Sequence, residues 1–186
     1  MAEENLPGTA EALHASYRLG PSHWALLGLA QLRYEPAAED VHAAAIHRME
    51  TDAKGQFRFY GLNLLVRLGD RGRELTRPYL ASDHARQTRM AAARALGGQG
   101  DTASYDAILA LLDEMEAEAV ADREARKVWN DMLWAAASAD PRRAHRELIR
   151  RTVTAPEILR DAYALAVSNL RARNPSLKAD LPTLEK

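Results

Sequence analysis

The chain has 186 residues, 47% of them hydrophobic and 27% charged, and its 25 basic and 26 acidic side chains give a formal net charge of −1. A chain of this length can bury a hydrophobic core without a stabilising metal or disulfide. Because it contains no cysteine, disulfides, thiolate metal sites and thiol nucleophiles are excluded. No basic segment precedes an apolar run, and no stretch reaches the roughly 18 apolar residues of a membrane helix. We therefore expect a cytoplasmic protein of bacterial type.

The apolar composition favours helices over strands. The sequence holds 36 Ala and 25 Leu but only 6 Val and 4 Ile. Alanine and leucine lose little freedom in a helix, whereas the β-branched residues typical of strands are scarce. The predicted fold class is all-α.

Apolar residues recur at helical spacing along most of the chain, and Gly, Pro, Asp and Asn interrupt them at short intervals. The first helix is expected to have its N-cap at Thr9 and to end near Leu19, with Gly20 after it in a left-handed conformation. A turn is expected over residues 51–55, and Pro78 is expected to bend or shorten its helix. Further helices are predicted over residues 22–34, 38–49, 57–69, 73–80, 86–96, 102–115, 127–139, 141–153 and 155–174.

The sequence predicts which residues form the apolar faces of two helices. The helix over 22–34 is expected to present Trp24, Leu27 and Leu32, with Leu26 and Leu29 alongside. The helix that begins near Asp101 or Thr102 carries an i, i+3, i+4, i+7 pattern, formed by Ile108, Leu111, Leu112 and Met115. Pro141 and Pro156 stand where the first residue of a helix is expected.

Similar turns separate the helices at regular intervals. Leu68-Gly69-Asp70 is followed 31 residues later by Gln99-Gly100-Asp101, and Ser138-Ala139-Asp140 follows after a further 39. Periods of this size are typical of solenoids built from helix pairs, although an ordinary bundle with equal helix spacing is the alternative. We predict a short N-terminal helix within residues 1–20, then a right-handed α-α superhelix of about five helix pairs over 21–175. A flexible tail is expected over 176–186.

The segment RQTRMAAARALGGQGDTASYDAILALLDE resembles a HEAT-like repeat of the kind first noted in phycobilisome lyases. It has an arginine-led, alanine-rich helix, a Gly-Asp turn, and a second helix that ends in leucines and acidic residues. FYGLNLLVRLGDRGRELTRPYL is similar to the same pattern, more loosely. The resemblance implies a helical scaffold and leaves the activity open, because such repeats occur in proteins with unrelated functions.

The sequence does not favour a metal, a cofactor or a catalytic triad. Of the six histidines, only His42 and His47 are close in sequence, and a spacing of five places them on different helix faces. Deoxyhypusine hydroxylase, an enzyme with HEAT repeats, holds iron through His-Glu dipeptides, which this chain lacks. Residues 97–100 form a glycine cluster that follows a helix, so a tight turn explains it better than a phosphate loop. We predict neither a cofactor nor a metal site.

Charge is distributed unevenly between two segments. Residues 113–124 are strongly acidic, whereas residues 141–151 carry five arginines. In a solenoid the second helices of successive pairs line the concave surface, so the two segments should be neighbours there. They would form either intramolecular ion pairs on a solvated surface or a groove with one acidic and one basic wall that suits a complementary partner.

These observations predict a non-catalytic module that binds another protein through its concave surface, as an adaptor, an assembly factor or a toxin-neutralising immunity protein. The alternative is a HEAT-like enzyme or nucleic-acid-binding protein, of lyase or DNA-glycosylase type. Nucleic acid is disfavoured because the net charge gives no global positive potential. The candidate partner-binding residues are expected to face away from the core on second helices, and they are His42, Arg73, Arg77, Tyr105, Asp106, Asp113, Arg143, Arg146 and Arg150.

Overall fold

The computed structural model describes residues 8–51 and 56–178. Over these residues the chain forms α-helices and short 3-10 turns and no strand, which confirms the all-α prediction. Of the turn expected over residues 51–55, positions 52–55 lie outside the described part. The helices are α1 Thr9–Leu19, α2 His23–Gln31, α3 Ala38–Thr51, α4 Gln56–Val66, α5 Asp70–Thr76, α6 Arg86–Gly98, α7 Tyr105–Glu114, α8 Glu116–Ala121, α9 Arg123–Ala139, α10 Pro141–Thr154 and α11 Glu157–Arg173. The 3-10 turns are Glu35–Ala37, Arg77–Leu80, Thr102–Ser104 and Pro175–Lys178.

Contacts divide the chain into two compact units, Met1–Leu96 and Gly97–Lys186. In the first unit α1 packs on α2, α2 packs on α4, and α3 packs on both α4 and α5. In the second unit α9 is central, because α7, α8, α10 and α11 all pack against it, and α10 also packs along α11. The single repeat domain over 21–175 stays a prediction.

Several helix ends follow from the capping residues. The Asp140 carboxylate accepts a hydrogen bond from the Arg143 backbone N–H at 3.0 Å, and Pro141 is the first residue of α10, as predicted. The predicted end of α1 near Leu19 is confirmed, but the predicted N-cap and the predicted conformation of Gly20 are wrong. The helix begins at Thr9 after Gly8, and Gly20 is extended, with φ −167° instead of a left-handed value. An extended residue ends the helix equally well because Pro21 follows it.

Proline shortens the fifth helix in the predicted way. The α5 helix ends at Thr76, and Pro78 lies in the first turn of the 3-10 segment Arg77–Leu80. A proline has no N–H to donate and fits only the first positions of a helix. The chain therefore changes from α to 3-10 geometry at this point.

The buried faces agree with the sequence in α7 and differ from it in α2. Ile108, Leu111, Leu112 and Met115 are each at most 4% exposed, so the predicted face of α7 is confirmed. In α2 the buried face contains Leu26 and Leu29, whereas Trp24 is 78% exposed. Both stripes have helical spacing, and contact with α1 and α4 decides which one is buried.

Gly97, the first residue of the second unit, lies unusually close to Ala135 of α9. A Cβ atom at Gly97 would be 2.4 Å from the carbonyl oxygen of Ala135, whereas one at Gly98 would have no atom within 4 Å. Gly100, in the following turn, has φ +68°, a left-handed value that glycine adopts without strain. Gly97 thus permits the close approach, and the helix ends at the predicted glycine pair.

The predicted tail over 176–186 begins with ordered structure. Residues 175–178 form a 3-10 turn in which Leu177 is 2% exposed. This turn packs against α11. Residues 179–186 of the predicted tail lie outside the described residues.

Candidate functional site

Helices α7 and α10 of the second unit run side by side and in the same direction. The Arg143 guanidinium donates to both oxygens of Asp106, at 2.5 and 3.2 Å. Two helical turns further along, Arg151 donates to both oxygens of Asp113. Because the second pair follows the first in the same order on both helices, the helices are parallel. The predicted acidic and basic segments meet where Arg151 contacts Asp113 and Glu116, whereas Asp106, the partner of Arg143, lies before the acidic segment.

The first of two adjacent depressions lies between α7 and α10 and has a volume of about 400 Å³. It brings together five of the nine predicted partner-binding residues, two from α7 and three from α10. They are Tyr105, Asp106, Arg143, Arg146 and Arg150, and the structure adds Leu109 and Glu147 to the lining.

Three arginines occupy one face of α10 in this depression. Arg143 is paired with Asp106, and its guanidinium carbon lies 4.5 Å from the centre of the Tyr105 ring. Arg150 donates through Nε to Glu147 at 3.1 Å. Arg146, between them, is exposed and has no carboxylate within ion-pair distance among the described residues. Three arginines against the carboxylates of Asp106 and Glu147 leave a local charge of 3 − 2 = +1.

The second depression has a volume of about 690 Å³ and shares Arg150 with the first. Its floor is formed by Arg151, which is 9% exposed and also donates through Nε to Glu147 at 2.6 Å. The hydroxyl of Tyr163 donates to Glu116 at 3.1 Å and lies 3.4 Å from Nη1 of Arg151. The wall residues are Asp113, Glu116, Ala117, Val120, Thr154, Ala155 and Pro156.

The ionisation of this surface is fixed by the contacts within it. The guanidinium of Arg150, followed by that of Arg151, lowers the pKa of Glu147 below its ordinary value. Burial raises the pKa of Tyr105 and of Tyr163 to about 12 in each case. Burial opposes the charge of Arg151, but hydrogen bonds to Asp113, Tyr163 and Glu147 raise its pKa overall. At neutral pH Glu147 and Arg151 are thus charged and both phenols are neutral.

The structure corrects one of the predicted orientations. Tyr105 was expected to face away from the core, but it is 2% exposed. Its ring packs under the Arg143 guanidinium. It lines the depression from beneath instead of projecting into solvent.

The remaining predicted residues have local contacts in the first unit. The Nε2 atom of His42 lies 2.9 Å from the Tyr79 hydroxyl, and burial lowers the pKa of His42. Arg73 forms an ion pair with Asp70 one turn earlier. Arg77 lies half-buried in the 3-10 turn after α5. Their role in partner binding stays a prediction.

Leu109, Glu147, Arg151 and Tyr163 belong to this surface but are not among the residues predicted from the sequence. The spacing of charges could have identified Arg151. Asp113 follows Asp106 by seven residues and Arg151 follows Arg143 by eight, which is about two helical turns in both helices. Tyr163 carries no such signal, since its contact with Arg151 depends on the packing of α11 against α10.

The described residues were also compared with the requirements of a metal site and of a membrane-spanning helix. Within residues 8–51 and 56–178, no three His, Asp or Glu side chains are grouped in a way that could hold a metal ion. In the same part of the chain, every helix is too short or too polar to cross a bilayer.

The family model described as PBS lyase HEAT-like repeat matches residues 88–114, which run from α6 into α7. This confirms the resemblance predicted for that segment. No curated protein and no solved structure matches the chain. The match and the helical secondary structure are consistent with the predicted α-α solenoid class. Because a single repeat is matched, the comparison describes architecture and leaves the activity to be argued from the site.

Proposed function

We propose that the protein is a non-catalytic module that binds another protein through the surface formed by α7 and α10. The observation that carries this proposal is the depression around Arg146, in which neighbouring charges are held in place on rigid helices. Preorganised side chains lose little conformational freedom on binding, which favours their use as a recognition surface. HEAT-like repeats commonly provide such scaffolds.

The ion pairs of the surface argue against the enzymatic alternative. A general acid or base requires a carboxyl or imidazole group with a pKa near the working pH. Here the pKa of Glu147 is lowered by Arg150, and Asp106 and Asp113 are each held by an arginine. This pattern supports recognition over proton transfer, so we place a lyase-like or glycosylase-like activity second.

The proposed binding function is compatible with three more specific roles. A small helical module that binds one protein suits an adaptor, an assembly factor or an immunity protein that neutralises a toxin. We propose a cytoplasmic location and a bacterial source on the composition alone.

Affinity purification from the native host tests the binding function. The wild-type protein is compared with Leu109→Lys, which fills the first depression, and with Ala110→Lys, which adds the same charge at an exposed position one residue further along α7. We expect one protein in stoichiometric amount with the wild type and Ala110→Lys, and its loss with Leu109→Lys. Circular dichroism checks that both variants are folded.

Two results would count against the binding function. Equal recovery of the same protein with both variants would exclude the α7–α10 surface. Recovery of nucleic acid or of a pigment in place of a protein would favour the alternatives.

A further inference from the structure

We propose that Arg146 receives the carboxylate of a single Asp or Glu side chain in the protein partner. This inference rests on the proposed function and specifies the chemistry of the partner at the α7–α10 surface. The evidence is the difference between Arg146 and the two arginines beside it.

Arg143, Arg146 and Arg150 are spaced i, i+3 and i+7 on α10 and therefore share one face. Asp106 compensates Arg143, and Glu147 compensates Arg150. In the part of the chain that the structure describes, no carboxylate lies within 4.0 Å of the Arg146 guanidinium. Arg146 is thus the cation at the centre of the depression whose charge is left for an external anion.

The flanking arginines are already fixed. Arg143 is held by two hydrogen bonds to Asp106 and by the Tyr105 ring, and Arg150 is held by two hydrogen bonds to Glu147. A guanidinium has five N–H groups, so each keeps donors that a second carboxylate can use. A carboxylate bound at Arg146 would therefore enter between two preoriented donors, and Leu109 beneath it offers an apolar contact.

The surrounding charges select a single acidic side chain over a polyanion. The two depressions together contain four arginines and the carboxylates of Asp106, Asp113, Glu116 and Glu147, which gives a net charge of 4 − 4 = 0. Nucleic acid requires local positive charge that is not cancelled. Successive phosphates along such a chain would meet these carboxylates, whereas a single carboxylate needs only the one cation, Arg146, that the lining carboxylates of the first depression leave uncompensated.

A display library of short random peptides tests the proposal, with immobilised wild-type protein, Arg146→Glu, Arg142→Glu and Leu109→Lys as baits. Arg142 is exposed on the same helix and lines neither depression. Arg142→Glu therefore changes the net charge by the same amount as Arg146→Glu but does so outside the proposed site. We expect peptides selected by the wild type to be enriched in Asp and Glu. Their affinity should fall roughly tenfold or more for Arg146→Glu, which replaces attraction by repulsion, and change by less than about twofold for Arg142→Glu.

The outcomes separate this proposal from the binding function on which it rests. Suppose that the selected peptides no longer bind Leu109→Lys but either lack acidic residues or bind Arg146→Glu as well as the wild type. This result would overturn the proposal about Arg146 and leave the binding function of the α7–α10 surface standing. Absence of any selected peptide, or peptides insensitive to Leu109→Lys, would overturn both. A fluorescent oligonucleotide tests for a polyanion site instead. Such a site would bind it tightly with a steep salt dependence, and Arg146→Glu and Arg142→Glu would weaken this binding equally.

Discussion

Arg151 and Asp113, which are 38 positions apart in the sequence, form an ion pair with two hydrogen bonds between α10 and α7. The arginine is buried, whereas half of the Asp113 side chain is exposed. The other ion pair between the two helices, Arg143 with Asp106, is exposed on both sides. The two pairs have the same chemistry and register, but their burial predicts different contributions to stability.

Replacing Arg151 by methionine should lower the free energy of unfolding by about 2 kcal/mol, because it leaves the neighbouring carboxylates close together without their cation. Three carboxylates lie around it, those of Asp113, Glu116 and Glu147. Arg150→Met is the matched control, since Arg150 is exposed and bonded to Glu147 alone. Urea denaturation of both variants measures the difference, and equal losses would contradict the structural role assigned to Arg151.

Acid should weaken the fold in part through Glu147. Because folding lowers the pKa of this carboxyl below its ordinary value of 4.5, its contribution is complete above that value. The contribution is lost as the pH falls through the lower pKa of the folded state. Glu147→Gln lacks it, so the difference in unfolding free energy between wild type and variant should shrink between about pH 6 and pH 3. Urea denaturation at several pH values tests this, and a constant difference would be the contrary result.

The two glycines at the end of α6 should respond in opposite ways to alanine. Gly97→Ala places a methyl group against the Ala135 carbonyl oxygen, a backbone atom that cannot move aside, and should cost about 2 kcal/mol. Gly98→Ala meets no atom and should stabilise the helix by about 0.5–1 kcal/mol, since alanine loses less backbone entropy. Thermal unfolding of the two variants provides the comparison, and a similar melting temperature for both would refute the close approach of Gly97 to Ala135.

The last described turn should contribute to stability although the sequence predicts a flexible tail there. Leu177→Ala removes a buried side chain and should lower the unfolding free energy by about 2–3 kcal/mol. Ser176→Ala, at an exposed neighbouring position, should have little effect. If both variants unfold at the urea concentration of the wild type, this turn is not part of the cooperative unit.

Much of the fold could be predicted because helix formation depends on local information. The i, i+3, i+4, i+7 pattern of α7 identified its buried face correctly, and Pro78 and Pro141 marked real changes of geometry. The face of α2 could not be chosen in this way. Trp24 and Leu26 both belong to stripes with helical spacing, and only the neighbouring helices decide between them.

The candidate site was predictable to the extent that it lies on a single helix face. The spacing of Arg143, Arg146 and Arg150 placed them together, and the charge pattern placed α10 beside acidic residues. Arg151 is adjacent to Arg150 in sequence but points inward, towards Tyr163. The spacing of Arg143 and Arg151 matches that of Asp106 and Asp113, but the contacts of Arg151 with Glu116 and Tyr163 come from α8 and α11 and depend on tertiary packing.

The ion pairs between α7 and α10 also bear on selectivity. Since Asp106 and Asp113 are satisfied before any partner arrives, a mismatched protein gains nothing from them and must still strip water from charged groups that it covers. If the α7–α10 surface binds a protein as proposed, we expect discrimination to come mainly from the unfavourable energy imposed on incorrect partners, so that the change of one contacting residue rejects a close homologue of the correct partner.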